Sequence, residues 1–246
     1  MINIIQNIRD MYKHHPIKFL MTVVFIYLII VAIYLLNCSR KSKVIYSADD
    51  FPVIKILQQN WKEIAYEMKQ LPSTDILIMK KSRIQTDWLN DKSMNDLAKL
   101  HSKNYGWVKG WNNDFKRGEN KWYNWGLFYK GKSLGTNAKM CPVTTKLLSK
   151  IPGINVAGFS VMKPHSKIRP HTDSTGVKFN SLAYHLGLDI PRGKDCNLKV
   201  NNIYVKEQNG KAFLFDATNI HSAYNPNNKE RVILYIDFNL DKIKRK

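Results

Sequence analysis

Hydrophobic and polar positions divide this chain into three regimes. From Phe19 to Leu36 every residue except Thr22 is apolar, and eighteen residues at about 1.5 Å each give roughly 27 Å of helix, close to the thickness of a bilayer interior. The run exceeds a secretory h-region, and no small-x-small cleavage pattern follows Leu36, so it predicts an uncleaved single-pass anchor. Basic residues sit on both flanks, Arg9, Lys13 and Lys18 before it and Arg40, Lys41 and Lys43 after it. The positive-inside rule therefore leaves its orientation open.

The second regime has helical spacing. Asp49-Asp50-Phe51-Pro52 opens a helix in which Val53, Leu57, Trp61, Ile64, Ala65 and Met68 share one face, ending near Leu71-Pro72. Asp91 to Leu100 offers a further short helix, and Pro142 to Leu148 another. Between them, Tyr105 to Tyr129 is rich in aromatics (Trp107, Trp111, Trp122, Trp125) interleaved with Lys and Arg. Such rings line a pocket wall or pack on a sheet; stacking on single-stranded nucleic acid is the weaker alternative.

The third regime begins at Ile154. Short runs rich in Val, Ile, Phe and Tyr alternate with Gly, Pro and Asn clusters, giving candidate strands at 155–162, 181–189, 197–200, 203–206, 212–215 and 231–238. Asn201-Asn202 and Asn209-Gly210 are turn signals. Many short strands without long helices between them indicate an antiparallel sandwich or barrel. The fold class is mainly β with N-terminal helices, α+β. The chain then divides into a flank (1–18), a transmembrane anchor (19–37), a linker (38–49), a helical and aromatic-rich part (50–150), a strand-rich core (151–240) and a basic tail (241–246).

Charge changes this picture a little. With 39 Lys and Arg against 19 Asp and Glu, the formal net charge is +20, which favours anionic partners such as lipid head groups. The basic residues are dispersed, as on a solvated surface. Cys38, Cys141 and Cys196 form neither a disulfide framework nor a thiolate metal site. A reducing, cytosolic compartment follows for the region beyond the anchor.

Candidate chemistry centres on His171-Thr172-Asp173. Residues two apart on an extended segment point the same way, so an imidazole and a carboxylate can reach one ion. His221 is the candidate third ligand, completing the two-histidine, one-carboxylate set of mononuclear iron(II) sites. His165 could replace His171 but has no acidic residue two positions on, and a zinc hydrolase could use the same side chains. Arg231, ten residues after His221, favours iron with a keto acid, because its guanidinium can clamp a carboxylate through two hydrogen bonds. Arg231, Ile233, Tyr235 and Asp237 share one strand face.

These elements together resemble the aspartyl/asparaginyl β-hydroxylase family. The resemblance runs over about residues 50 to 240. It rests on Phe51-Pro52 before the Trp61 helix, Ser160, His171-x-Asp173, Tyr184-His185-Leu186-Gly187-Leu188, Phe215-Asp216 and His221-x9-Arg231-x-Ile-Leu. The apolar N-terminal run and residues 181–188 look most like the bacterial lipid A 2-hydroxylase branch. The resemblance implies a double-stranded β-helix, a cupin-like jelly roll, over residues 151–240, with Fe(II), O2 and 2-oxoglutarate as co-substrate. His171, Asp173 and His221 would bind the metal, Arg231 the distal carboxylate, and His185, Ser160 and Trp122 would line the co-substrate pocket. Where the family has an arginine two residues before its His185 counterpart, this chain has Ala183. The implied activity is hydroxylation of an unactivated C–H on a lipid acyl chain or membrane-associated substrate. The alternatives are peptidyl aspartyl/asparaginyl hydroxylation and an inactive cupin-like binding domain.

Overall fold

The computed structural model describes residues 12–39, 43–76, 103–110, 121–173 and 180–243, with 95 and 99. Of the expected helix at Asp91–Leu100 only 95 and 99 are among these, both helical, and Trp111 lies outside them. The chain forms two units, Met1–Lys43 and Val44–Lys246.

In the first unit, α1 (Pro16–Ser39) takes up the apolar run. The expected membrane anchor is not upheld: among the described residues no helix is long and apolar enough to cross a membrane. His14, His15 and Lys18 precede the run. The single-pass membrane localisation falls with the anchor.

The second unit is built on two antiparallel sheets. Its strands are β1 (Ile45–Ser47), β2 (Val108–Lys109), β3 (Trp122–Tyr129), β4 (Lys132–Ser133), β5 (Ile154–Met162), β6 (Lys167–His171), β7 (Ser181–Asp189), β8 (Asn197–Val200), β9 (Ile203–Lys206), β10 (Ala212–Phe215), β11 (His221–Tyr224) and β12 (Arg231–Asn239). The larger sheet runs β1-β10-β7-β12-β5-β3-β2 with β4 on β3, and the smaller runs β6-β11-β8-β9. The expected strands from Ile154 onward are all present. Absent from the expectation are β6 and β11, the two that carry the histidines. Pro170 and three basic or polar neighbours disguise β6, and a proline is tolerated there because β6 is an edge strand.

Period-two alternation sorts the large sheet's side chains into two layers. On one side Trp125, Phe159, Tyr184, Leu186, Leu234, Ile236 and Phe238 are buried with Phe51, Ile54, Leu57 and Ile64. Leu57 and Ile64 come from the N-terminal helical segment, which is broken into α2 (Lys55–Gln59) and α3 (Trp61–Lys69), and Phe51 and Ile54 lie just before it. The break falls at Asn60, whose side-chain amide donates to the Ile56 carbonyl at 2.7 Å and so competes with helix continuation. On the other side Met162, Ala183 and Phe215 meet Ile168, Leu198, Val200 and Ala223 of the smaller sheet. The site opens in this second layer.

Two short helices, α4 (Gly135–Lys139) and α5 (Pro142–Leu148), complete the helical side. Glu67 of α3 accepts hydrogen bonds from the Val143 and Thr144 amides at 2.7 and 2.8 Å and from the Thr144 hydroxyl at 2.7 Å, satisfying amides that α5 leaves open. Glu67→Ala should therefore lower unfolding free energy by about 1–2 kcal/mol, read as a shifted urea midpoint. An unchanged midpoint would remove this cap from the account.

Candidate metal centre and its pocket

Antiparallel pairing of β6 with β11 sets His171 directly across from His221, and their rings lie 4.1 Å apart between centroids. Asp173 follows two residues beyond the end of β6, where its backbone amide donates to the Ala217 carbonyl at 2.8 Å. Its carboxylate lies 3.7 Å from His171 Nε2 and 3.8 Å from His221 Nε2. One ligand atom from each of the three lies within 4.8 Å of the others. The expected triad is thus assembled. His165 is elsewhere, exposed, with its Nε2 2.6 Å from the Asn228 side-chain oxygen.

Local hydrogen bonds prepare both imidazoles. His171 Nδ1 donates to the Arg169 carbonyl at 2.7 Å and His221 Nδ1 to the Asn219 carbonyl at 2.9 Å. A carbonyl only accepts, so each ring carries its hydrogen on Nδ1 and presents the Nε2 lone pair. Burial lowers the pKa of both histidines, that of His221 to about 3 with His171 adding to the effect. Burial, helped by Asp237, pushes Asp173 up to about 7. Two neutral nitrogens and a carboxylate that resists ionisation when alone are a donor set that a divalent cation would satisfy.

The triad opens into a cleft of about 110 Å³ between the sheets. All four expected pocket residues line it: Arg231, His185, Ser160 and Trp122. Trp122 Nε1 donates to Ser160 Oγ at 2.7 Å across β3 and β5. His185 faces Tyr235 in the β7–β12 register, and Phe213, Phe215 and Tyr235 surround its ring. Trp107 and Trp125 are instead buried on the helical side, 5.3 Å apart in an edge-on pair.

Sequence reading missed Glu207. It sits just after β9, almost wholly buried, and binds Arg231 through Nε and Nη2. It also accepts from His185 Nδ1 at 3.0 Å. Burial would raise the Glu207 pKa, but Arg231 and His185 outweigh it and hold the carboxyl down near 2. Gly187 permits this approach: a Cβ there would lie 2.1 Å from the Gln208 carbonyl oxygen. Only the Leu186-Gly187-Leu188 sequence hinted that another backbone presses on β7. Asn124 and Tyr235 also line the cleft.

The profile of the aspartyl/asparaginyl β-hydroxylases matches residues 58–240. The chain belongs to this family. An uncharacterized protein of Acanthamoeba polyphaga mimivirus is 29% identical over 82% of this chain and 72% of its own length. The ornithine lipid ester-linked acyl 2-hydroxylase of Rhizobium tropici is 35% identical over 49% of this chain and 42% of its own. The human aspartyl/asparaginyl β-hydroxylase is 28% identical over 49% of this chain and 16% of its own. The chain thus spans less than half of either named hydroxylase. Membership places it among hydroxylases, and the Rhizobium relative agrees with the expected bacterial lipid-modifying branch. Among solved structures, the Schizosaccharomyces pombe Cnp3 cupin domain is similar at 13% identity and a TM-score of 0.33, covering 48% of this chain and 65% of that one.

The depressed Glu207 pKa has a consequence for stability. Its ionised form stabilises the fold fully above the ordinary value near 4.5, and that contribution is lost as pH falls towards 2. Glu207→Gln should flatten the decline in urea stability between pH 5 and pH 2.5 relative to wild type. Equal slopes would contradict the pairing.

Proposed function

We propose that this family member is an Fe(II)- and 2-oxoglutarate-dependent dioxygenase that hydroxylates a lipid acyl chain. The observation that carries the reading is the convergence of His171, Asp173 and His221 in a cleft whose other polar groups include Arg231. The two-sheet unit is read as a double-stranded β-helix core at 151–240, with residues 50–150 supplying its helical cover and the Trp122 wall. Two segments read from sequence as linker and tail (38–49, 241–246) contribute to this part: Ile45–Ser47 forms β1 on the larger sheet, and Ile243 is buried in its core; the flank is 1–18.

Bound iron, with 2-oxoglutarate and dioxygen, would supply an oxidant able to replace an unactivated C–H by C–OH, with succinate and carbon dioxide as the other products. The chain's own residues bind, orient and shield. His171 and His221 offer Nε2 lone pairs fixed by their backbone hydrogen bonds, and Asp173 adds the carboxylate. Three protein ligands leave other positions on the ion open. Arg231 would receive the distal carboxylate of the co-substrate, with His185, Ser160 and Trp122 around it. Ser160 and Trp122 are already hydrogen-bonded to one another, so that wall is set before a ligand arrives. No side chain has to act as a general base.

Substrate class is read from the rest of the lining. Val108, Leu134, Ile168, Leu198 and Ala223 give the cleft an apolar surface, which suits a hydrocarbon chain better than a charged aspartyl side chain. The Rhizobium relative, an acyl 2-hydroxylase by name, supports the same choice. Peptidyl Asp or Asn hydroxylation is the second reading, favoured by the human relative.

Purified protein given Fe(II) and 2-oxoglutarate should release succinate, and His171→Ala should lose at least about a hundredfold of that rate. Lipids from cells expressing the protein should gain one oxygen on an acyl chain by mass spectrometry. Succinate release that survives His171→Ala would contradict the metal assignment, and an oxygen gained only on peptides would move the substrate to the second reading.

A further inference from the structure

The cleft wall around Arg231 carries a charge balance that clamping a carboxylate does not explain. Arg231 lines the cleft, yet two of its three guanidinium nitrogens are committed to Glu207. Glu207 itself lies behind Arg231 and His185 and is not part of the lining. It is nearly inaccessible, at 4% exposure, so water screens the pair poorly. Arg231 Nη1 and His185 Nε2 have no hydrogen-bond partner among the described residues, and they are the atoms left to a ligand.

Glu207 affects both of those atoms. Its negative charge cancels much of the field that Arg231 would otherwise direct at an incoming anion. Its carboxylate accepts hydrogen bonds and donates none, so the hydrogen of a neutral His185 must sit on Nδ1. Nε2 then presents a lone pair to the cleft, which a carboxylate oxygen does not bind. Ala183, two residues before His185 on the same strand face, adds no compensating cation.

We infer that Glu207 is a specificity-determining residue that weakens the pocket's hold on a distal carboxylate, by neutralising Arg231 and by turning His185 into an acceptor. The inference rests on the 2-oxoglutarate reading above. Its result is a co-substrate pocket in which the keto-acid end supplies most of the affinity and the distal carboxylate adds little. A 2-oxo acid with an uncharged tail then competes nearly as well as the dicarboxylate.

The sign of one substitution separates this from a simple supporting role. In Glu207→Gln the side-chain carbonyl can still accept from Arg231, while the amide can donate to His185 Nδ1. The His185 hydrogen then moves to Nε2, and the Arg231 charge is no longer cancelled. Both changes favour a carboxylate ligand. A residue that merely props Arg231 in place would instead weaken binding when altered.

The experiment is calorimetric titration of the Mn(II)-loaded wild type and Glu207→Gln with 2-oxoglutarate and with 2-oxopentanoate, which has the same carbon chain without the distal carboxylate. Glu207→Gln should bind 2-oxoglutarate more than about threefold tighter, with 2-oxopentanoate changed less than about twofold, as a charge effect confined to the distal end requires. A smaller gain, a loss, or a parallel gain for both acids overturns the inference. Should Glu207→Gln fail to fold, the wild type decides by itself. There the distal carboxylate should improve affinity less than about tenfold, the low end for a charge-assisted hydrogen bond, and a larger ratio overturns the inference. Wild-type binding of 2-oxoglutarate with the wrong sign in the variant removes only the role of Glu207. If neither protein binds either acid, the co-substrate reading fails and the inference falls with it.

Discussion

The candidate centre depends on one register, the antiparallel pairing that places His171 opposite His221 across β6 and β11. A slip of a single residue would turn one of the two imidazoles to the other face of the sheet and separate the pair. The irregularity between His221 and Ala223 lies just past that pair. The same edge strand then delivers Asp173, held by its amide to Ala217. Ligands from two segments distant in sequence are therefore positioned by a few backbone hydrogen bonds in and beside the smaller sheet. The larger sheet lies behind, with Val232, Leu234, Ile236 and Phe238 packed on one side against the helical cover and Arg231, Ile233 and Tyr235 facing the cleft.

Charge follows the same division. Near the triad, burial keeps the histidines neutral and makes Asp173 slow to ionise, a state that a cation relieves. Elsewhere on the cleft wall, Arg231 forms a desolvated pair with Glu207 behind it. Such pairs contribute little net stability because desolvation offsets their attraction, but removing one partner alone is costly.

Much of this was legible in the chain. His171-x-Asp173, His221 and Arg231 are few and specific, and the strands from Ile154 onward are written in alternating apolar residues. The β8–β9 hairpin was marked by Asn201-Asn202, whereas the turn at Asn209-Gly210 carries the chain from β9 in the smaller sheet to β10 in the larger. Less legible were β6 and β11, where Pro170 and the short His-Ser-Ala-Tyr run lack strand character and only tertiary pairing imposes it. The N-terminal helix was read as continuous because spacing reports a face and not a break, and Asn60 was a weak signal. Glu207 had no signal of its own: it becomes functional only because Gly187 lets its loop lie against β7. The apolar run at Phe19 invited a membrane reading that the described helix does not meet.

Family membership makes the chain a relative of hydroxylases, and the central claim is that His171, Asp173 and His221 jointly hold the reactive metal. Equilibrium dialysis of the purified chain against Fe(II) under anaerobic conditions tests it most directly, compared with His221→Ala and Asp173→Ala. The account predicts one iron per wild-type chain and at least about a tenfold loss of affinity in each variant. Iron bound equally well by the wild type and both variants would contradict it.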